Sequence, residues 1–289
     1  MPAEVVQWLQ PQTCQTLMDG TFGAGGHSVA LARAMPEGGR VVAVDRDPAA
    51  VEVAADSVAG LPINVFCHSY HRIDRILADA GVESVDGVVL DLGLSSDQLA
   101  DRDRGFSFTG EGFLDLRFDP TSGQSAAEFL ASSTEKDIAD TIYQFGEERF
   151  SRRIAKQIVE RRKQRNSVRT VPDLVDICRR CVPRAKNHDI HPATRTFQAL
   201  RIAVNQELAI LTDALKRLPA FIKPGGRIAI ISFHSLEDRI VKQAFRDDER
   251  LEVLTRKPLR PTDAEVAENP RSRSAKMRVA QVLPKDELR

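Results

Sequence analysis

The sequence predicts an α/β protein with a doubly wound, mostly parallel sheet that is interrupted by an inserted helical segment. Three observations support this fold class. Apolar, strand-like runs alternate with helical patterns through the first hundred residues, and the periodicity is then entirely helical from about Gln124 to Pro183. The buried-strand pattern returns in RIAIISF, at Arg227–Phe233. Near-continuous apolar runs of this kind are typical of parallel strands that are covered on both faces.

Each element has its own local signal. The strands predicted in the first half are Gln15–Asp19, Arg40–Asp45, Asn64–Cys67 and Val85–Asp91. The helices predicted between them are His27–Ala34, Pro48–Ala59 and Ile73–Ala80. In the helical segment, capping patterns predict helix starts at Ser125, Thr134 and Thr170, and one long helix is predicted from His191 to Leu218. The last two predicted strands are Leu251–Arg256 and Met277–Leu283.

A glycine-rich loop follows the first predicted strand, in DGTFGAGGHS at Asp19–Ser28. Roughly twenty residues later the next strand ends in Asp45, the position from which a carboxylate accepts hydrogen bonds from ribose hydroxyls. Ser28 stands where a dinucleotide fingerprint has its third glycine, and the loop has no Arg or Lys to hold a pyrophosphate. We therefore expect S-adenosylmethionine as the cofactor.

Composition limits the class of protein. The chain has 289 residues, of which 42% are hydrophobic and 28% charged, as in ordinary globular proteins. It has no apolar run of membrane-spanning length and no signal segment, so we expect no membrane association. Four cysteines in a chain of this size do not make a disulfide framework, which favours the reducing cytoplasm.

Charge is distributed very unevenly along the chain. Residues 1–145 contain 9 Lys and Arg against 22 Asp and Glu, whereas residues 146–289 contain 32 against 19. The densest basic cluster, Arg149–Arg169, includes Arg161 and Arg162 and is opposed only by Glu160. Such a cluster is either a solvated helix face or a phosphate-binding surface, and we favour binding of nucleic acid by Arg161, Arg162 and their neighbours.

The carboxyl ends of the later strands carry polar residues suited to chemistry. The fourth strand ends in DLGLSSDQL, which places Asp91 and Ser95 at this edge as the candidate catalytic residues. The loop Asp101–Pro120 contains Phe106 and Phe108, which predict a stacking wall for a displaced base or, alternatively, a hydrophobic contact between core and insertion. His234, in SFHSLEDR, is expected either to contact the substrate or to cap the following helix.

Taken together, the motifs resemble those of the bacterial S-adenosylmethionine-dependent methyltransferases that modify N4 of a cytidine in small-subunit (16S) ribosomal RNA. The resemblance covers about Val5–Ala280 and is most specific in three motifs: HPATRTFQALR, SFHSLEDR and ENPRSRS. Members of this family usually carry a further segment ahead of VVQWLQP, and this chain starts within that segment. The resemblance implies a class I methyltransferase fold acting on the decoding region of the small subunit.

The resemblance also assigns cofactor contacts, residue by residue. The positions that match the family's cofactor-binding residues are Gly25, Gly26, His27, Asp45, Tyr70, Asp91 and Gln98. Tyr70 replaces the usual phenylalanine, which preserves a ring that can stack on adenine. We expect residues 1–100 and 200–289 to form the methyltransferase core and residues 101–199 to form a helical subdomain for RNA recognition.

Other functions are less consistent with the sequence. Cys178, Cys181, His188 and His191 imitate a zinc site, but the histidine spacing is short and we expect no metal. Cys14 and Cys67 read as core residues rather than nucleophiles. The sequence lacks the Pro-Pro-aromatic motif of DNA amino-methyltransferases, which argues against DNA, and the resemblance implies 16S rRNA as the partner. A non-catalytic ribosome-assembly factor is the remaining alternative, and a homodimer is an open expectation.

Overall fold

The structure is a computed structural model that describes residues 1–183, 191–284 and 286. The chain divides into two compact units, Met1–Leu94 with Leu208–Arg289, and Ser95–Glu207. The second unit is inserted between two strands of the first. Its ends lie somewhat outside residues 101 and 199, where the sequence analysis expected them.

The first unit is built around one mostly parallel sheet. Its strands are β1 (Thr16–Asp19), β2 (Arg40–Asp45), β3 (Ile63–Cys67), β4 (Val85–Asp91), β5 (Ile222–Ser232), β6 (Leu251–Val253) and β7 (Lys276–Val282). The order across the sheet is β3-β2-β1-β4-β5-β7-β6. The first five strands are parallel, and β7 runs antiparallel to both β5 and β6. The strand order reverses between β1 and β4, so the carboxyl ends of these two strands border the crevice in which such sheets bind ligands.

Helices connect the strands and make up most of the second unit. In chain order they are α1 (Pro2–Leu9), α2 (Gly26–Ala34), α3 (Pro48–Ser57), α4 (Ile73–Asp79), α5 (Ser96–Ala100), α6 (Ala126–Ser132), α7 (Glu135–Gly146), α8 (Ser151–Lys163), α9 (Val171–Cys181), α10 (Thr194–Asn205), α11 (Glu207–Arg217), α12 (Ser235–Asp247) and α13 (Asp263–Glu268). No helix within the described ranges has both the length and the apolar character needed to cross a membrane.

Both faces of the sheet are buried, as the continuous apolar runs predict. Met18 and Val88 belong to one core cluster. Their chain neighbours Leu17 and Val89 belong to the other. Adjacent residues of a strand point to opposite faces, so each strand must be apolar along its whole length to serve both clusters. Truncation of the fully buried Leu17 to alanine should cost about 2–5 kcal/mol.

Three helices of the second unit begin where the capping patterns predict. Ser125 caps α6 and forms a reciprocal capping box with Glu128. Thr170 and Asp173 do the same at the start of α9. Thr134 caps α7 through the amide of Asp137. Because each cap satisfies amide groups that the first helical turn leaves unpaired, these starts are encoded locally.

The prediction of one helix over His191–Leu218 is wrong. The chain forms α10 and α11 with a break at Gln206, which has the left-handed φ of 52°. The break follows Asn205, whose buried side-chain amide donates to the carbonyl of Leu116 (2.6 Å) and accepts from the amide of Phe118 (2.8 Å). These are contacts within the second unit that helical periodicity does not reveal, since no proline or glycine marks the break.

Candidate active site

The glycine loop occupies the turn from β1 to α2. Gly25 caps α2 with a φ of 81°, and a Cβ atom there would lie 2.9 Å from Cζ of Phe22. Both the conformation and the crowding therefore require glycine at this position. A Cβ atom at Gly26, in contrast, would meet no described atom within 4 Å. The first turn of α2 thus leaves room for a ligand to approach its backbone closely.

Asp45 holds the glycine loop as well as ending β2. Its Oδ2 accepts a hydrogen bond from the amide of Gly23 (2.7 Å), and its Oδ1 accepts one from the amide of Asp47 (2.8 Å). Burial raises the pKa of the Asp45 carboxyl, and the two amide hydrogen bonds oppose that rise. Each carboxylate oxygen retains a further lone pair, which can accept a hydroxyl proton from a ribose.

His27 and Asp91 form a pair beneath the start of α2. Nε2 of His27 lies 3.1 Å from Oδ2 of Asp91. Nδ1 of His27 and Oδ1 of Asp91 are both buried, and neither has a hydrogen-bond partner among the described residues. Buried polar atoms are normally paired, so an unpaired buried atom on each member of this pair indicates a place where a polar ligand binds.

A second buried carboxylate lies behind this pair. Asp19, at the end of β1, accepts hydrogen bonds from the amide of Thr21 (3.0 Å) and the hydroxyl of Ser28 (2.7 Å). The hydroxyl of Thr21 in turn accepts from the amide of Asp91 (2.6 Å). Burial raises the pKa of Asp19, and the charge of Asp91 adds to that rise. Sequence reasoning missed the roles of Asp19 and Thr21, although both lie in the quoted loop motif.

The pKa of His27 reflects these two acids. Burial by itself lowers the pKa of the imidazole, but the hydrogen bond to Asp91 and the charges of Asp91 and Asp19 outweigh it, so the net shift is upward. Two carboxylates, Asp19 and Asp91, therefore lie close to His27 at this edge of the sheet. Such a site favours a ligand that brings positive charge, as the sulfonium and ammonium groups of S-adenosylmethionine do.

The remaining residues of the first unit that were assigned to the site lie at the same edge. Tyr70 follows β3, and a Cβ atom at Gly20 would come within 2.9 Å of Tyr70 Cβ, which places Tyr70 beside the start of the glycine loop. His234 caps α12: its Nδ1 accepts from the amide of Glu237 (3.4 Å), and its Nε2 lies 3.2 Å from Oε1 of the same residue. The structure thus gives His234 the capping role, and its contact with substrate stays a prediction.

Ser95 and Gln98 belong to the second unit, in the segment that follows β4 along the chain. The hydroxyl of Ser95 accepts from the amide of Gln98 (3.1 Å), and Oε1 of Gln98 accepts from the amide of Ser95 (3.1 Å). The two residues therefore form the capping box of α5. The hydroxyl proton of Ser95 takes no part in this box and can still be donated.

The aromatic loop is more tightly packed than a free stacking wall would be. Phe106 is only 4% exposed and stacks on Phe118 at 5.9 Å between ring centroids. Phe108 lies between His191 (5.2 Å, stacked) and Phe197 (5.0 Å, edge-on). Phe113, in the same loop, is 46% exposed to solvent. Contact of Phe106 or Phe108 with a base stays a prediction, and both rings already have aromatic partners.

Arg161 and Arg162 are bonded within the second unit. Arg161 forms an ion pair with Asp173 at 2.7 Å. Arg162 donates to three carbonyl groups at the end of α6, of which the shortest bond is to Ser133 (2.8 Å). Both side chains are partly buried, so contact of either with RNA stays a prediction. The exposed basic residues of the same cluster are Arg149, Arg152, Arg153, Lys156, Lys163, Arg165 and Arg169.

The cysteines of the zinc-like motif are buried thiols. Burial raises the pKa of Cys178 to about 12, and it also raises the pKa of Cys181. Zinc binds the thiolate, which such pKa values disfavour. His191 stacks on Phe108, and His188 lies outside the described residues. Burial raises the pKa of Cys14 as well, which agrees with its interpretation as a core residue. Cys67 is exposed at the end of β3, so its interpretation as a core residue is wrong.

A parallel sheet with a glycine loop after β1, acids at the ends of β2 and β4, and an antiparallel β7 defines a class I S-adenosylmethionine-dependent methyltransferase. Residues 1–283 match the MraW methylase family, and the chain belongs to that family. The predictions of a methyltransferase fold and of S-adenosylmethionine as cofactor are thereby confirmed.

Two proteins that are similar to this chain in sequence share one name. The chain is 58% identical over 290 residues to the ribosomal RNA small subunit methyltransferase H of Rhodopirellula baltica, which covers 97% of this chain and 89% of that protein. It is 48% identical over 283 residues to the protein of that name from Synechococcus elongatus, covering 97% and 93%. A solved structure of an rRNA methylase from Streptococcus thermophilus matches 98% of this chain and 94% of that chain at 9% identity, with a TM-score of 0.45.

Proposed function

We propose that the protein transfers a methyl group from S-adenosylmethionine to N4 of a cytidine in the decoding region of 16S rRNA. The observation that carries the proposal is the Asp91 carboxylate, whose buried Oδ1 has no hydrogen-bond partner within the described chain and which lies beside the glycine loop. The names of the relatives support an rRNA of the small subunit as substrate.

Asp91 has the chemistry that an amine acceptor needs. S-adenosylmethionine supplies a methyl group that is activated by its bond to a sulfonium. The exocyclic amine of cytosine is a weak nucleophile because its lone pair is delocalised into the ring. We assign to Oδ1 of Asp91 the hydrogen bond from the N4–H group, which orients the amine and stabilises the positive charge that develops on it. Ser95, four positions along the chain, is the second proposed acceptor.

The proposed cofactor contacts agree with the geometry of the site. Backbone groups at Gly25, Gly26 and His27 would hold the amino-acid end of the cofactor at the start of α2, and Asp45 would accept the ribose hydroxyls. Tyr70 and Gln98 are proposed to contact the adenosyl part. Two buried polar atoms without partners and the open position at Gly26 support this placement.

The helical unit is proposed to bind the RNA backbone. On α8 the side chains of Arg152, Arg153 and Lys163 are exposed and form no ion pair within the described residues. Contacts of this kind with phosphates give affinity and orientation without reading the sequence. The target cytosine must be unpaired or displaced to reach a concave site, and Phe106, Phe108 and His234 are the proposed contacts for it.

The test is nucleoside mass spectrometry of 16S rRNA from cells with and without the protein. We expect one cytidine of the decoding region to lose its N4-methyl group when the protein is absent and to regain it with the wild-type protein but not with Asp91→Ala. An unchanged methylation pattern would refute the proposal. Activity on such rRNA would also place the protein in the cytoplasm, and sedimentation of the purified protein tests the expected homodimer.

Assays with purified protein separate the alternatives. A DNA amino-methyltransferase would methylate duplex DNA in preference to single-stranded RNA and small subunits. A non-catalytic assembly factor would bind the subunit yet fail to bind S-adenosylmethionine in a calorimeter. We expect cofactor binding, and methyl transfer to RNA and not to DNA.

A further inference from the structure

The chain between β6 and β7 carries a basic surface that the site described above does not use. Five of its side chains are exposed and form no ion pair in the part of the chain that is described: Arg256, Lys257, Arg260, Arg271 and Arg273. They are called the β6–β7 basic surface below. All of them belong to the first unit, the one that contains the glycine loop.

Backbone pairing with β7 explains why Arg256 and Lys257 face solvent. The amide of Val279 donates to the hydroxyl of Thr255 (2.8 Å), and Leu259 pairs with Met277 through two hydrogen bonds of 2.9 Å. The segment from Thr255 to Leu259 therefore advances four positions while its partner β7 advances two, from Val279 to Met277. The extra residues form a bulge at 256–258, which leaves Arg256 and Lys257 outside the pairing.

Arg271 and Arg273 are displayed by a tight turn. They lie in the 3-10 helix Pro270–Ser274, on either side of the buried Ser272. The hydroxyl of Ser272 donates to the carbonyl of Asn269 (2.8 Å), and the amide of Ala275 donates to the carbonyl of Ser272 (2.8 Å). Because Ser272 is fixed inward, its two neighbours project outward.

The surface lies at the carboxyl edge of the sheet. Lys276, the first residue of β7, pairs with Ser232, the last residue of β5. On the other side of β5, Ile231 pairs with Asp91. The turn that carries Arg271 and Arg273 therefore meets the sheet at the edge where Asp91 lies, two strands away.

Few neighbouring acids are free to neutralise this surface. Lys276 and Arg278 both form ion pairs with Asp238, so these two cations are already compensated. Glu265 of α13 pairs with the N-terminal ammonium of Met1. Asp263 and Glu268 are exposed, and neither forms an ion pair with the five basic residues. Five unpaired cations on this connection face two unpaired acids, which leaves a net charge of +3, and a polyanion would neutralise that excess.

We propose that the β6–β7 basic surface binds the phosphates of the RNA strand that flank the target cytidine. The inference rests on the proposed function, because it takes the RNA to be the polyanion. A strand that delivers a base to Asp91 must cross the carboxyl edge, and its neighbouring nucleotides then pass over the β7 side of that edge. Phosphate contacts there hold the backbone while the base is displaced.

The test compares two double variants of the full chain with a matched control. Arg256→Gln with Lys257→Gln, and Arg271→Gln with Arg273→Gln, each remove two charges from the surface. Arg33→Gln with Lys216→Gln removes two exposed charges from the opposite, amino edge of the same unit, near the ends of α2 and α11. Affinity for a single-stranded 16S fragment is measured by fluorescence anisotropy from 50 to 200 mM salt.

Each surface variant should bind the RNA more weakly, and the slope of log affinity against log salt should become shallower by about 0.7 for each phosphate that the variant no longer binds. S-adenosylmethionine affinity should stay at the wild-type value, which also shows that the variants are folded. The control should match the wild type in all measurements.

Wild-type slopes in both surface variants would overturn the inference. Weaker binding to intact subunits with unchanged binding to the RNA fragment would also overturn it, since that result would assign the surface to a ribosomal protein. If the wild type methylates no RNA, the proposed function fails instead, whatever the slopes.

Discussion

His27 and Asp91 are 64 positions apart in the sequence, yet His27 Nε2 lies 3.1 Å from Asp91 Oδ2. His27 lies in the first turn of α2 and Asp91 is the last residue of β4, so the contact joins the two sides of the point where the strand order reverses. Each partner keeps one further buried polar atom that no described residue binds. The pair is therefore positioned to serve both the cofactor and the amine acceptor.

The two glycines at the start of α2 should respond differently to alanine. Gly26→Ala should leave stability unchanged, because nothing described lies within 4 Å of the new Cβ atom, and should weaken binding of S-adenosylmethionine, because we place the cofactor there. Gly25→Ala should lower the free energy of unfolding by about 1–2 kcal/mol, because alanine would adopt a left-handed φ beside Phe22. Chemical denaturation and calorimetry measure the two effects.

Gly38→Ala is the control for this pair. Gly38 has a φ of 79° and open space around it, so its substitution should cost stability without changing cofactor affinity. Normal cofactor binding by Gly26→Ala would show that the ligand does not approach the first turn of α2.

Asp45→Ala should weaken S-adenosylmethionine binding by roughly tenfold or more, about 1.4 kcal/mol, because it removes the ribose acceptor and releases the amide of Gly23. Affinity for RNA should be nearly unaffected. Isothermal titration calorimetry measures the first effect, and Glu52→Ala, an exposed acid on α3, is the control. Unchanged cofactor affinity in Asp45→Ala would remove Asp45 from the site.

The raised pKa of His27 predicts how the contribution of this residue to stability depends on pH. The folded protein binds the imidazole proton more tightly than the unfolded chain does, so the contribution is complete below the ordinary histidine pKa of about 6.5 and is lost as pH rises through the higher folded value. The difference in unfolding free energy between the wild type and His27→Gln should therefore be largest below about pH 6.5 and should shrink as pH rises above it.

His71 provides a control of opposite sign. Burial lowers its pKa, so the wild type should gain stability relative to His71→Gln as pH rises from below the lowered folded value to about 6.5, and should gain none above that pH. If the difference in unfolding free energy between the wild type and His27→Gln does not vary with pH, the pKa of His27 is not raised by Asp91 and Asp19.

Three arginines of α8 should separate RNA binding from folding. Arg152→Gln with Arg153→Gln should lower RNA affinity and make the salt slope shallower by about 1.4 if both contact phosphates, with little change in stability. Arg161→Ala should destabilise the protein by about 1–3 kcal/mol, because it leaves Asp173 without its ion-pair partner. Anisotropy and denaturation measure the two effects. If Arg152→Gln with Arg153→Gln keeps the wild-type salt slope, these two side chains do not contact RNA phosphates.

Much of the first unit could be predicted because its signals are local. Arg40–Asp45 and Val85–Asp91 are strands with the predicted bounds, since buried parallel strands are continuous apolar runs that end in a polar residue. The helix starts at Ser125 and Thr170 were equally predictable, because a capping box lies within four residues. α1 was not predicted, because it is only eight residues long and has no side-chain cap to mark its start.

The site was predictable as a set of positions but not as a set of contacts. The charge pattern identified Arg161 and Arg162 as members of a basic cluster. Their partners, Asp173 and the carbonyl groups at the end of α6, depend on how the helices pack. The break at Gln206 likewise depends on Asn205 reaching Leu116, which is distant in sequence. Interactions between remote segments are what periodicity and local motifs leave undetermined.

A crystal structure of the protein with S-adenosylmethionine would test the central claim most directly. We predict electron density for the nucleoside at the carboxyl ends of β1, β2 and β4, with its ribose at Asp45 and its methyl group facing the side on which Oδ1 of Asp91 lies. A glycine loop free of density, with the nucleoside bound elsewhere on the protein, would contradict the account.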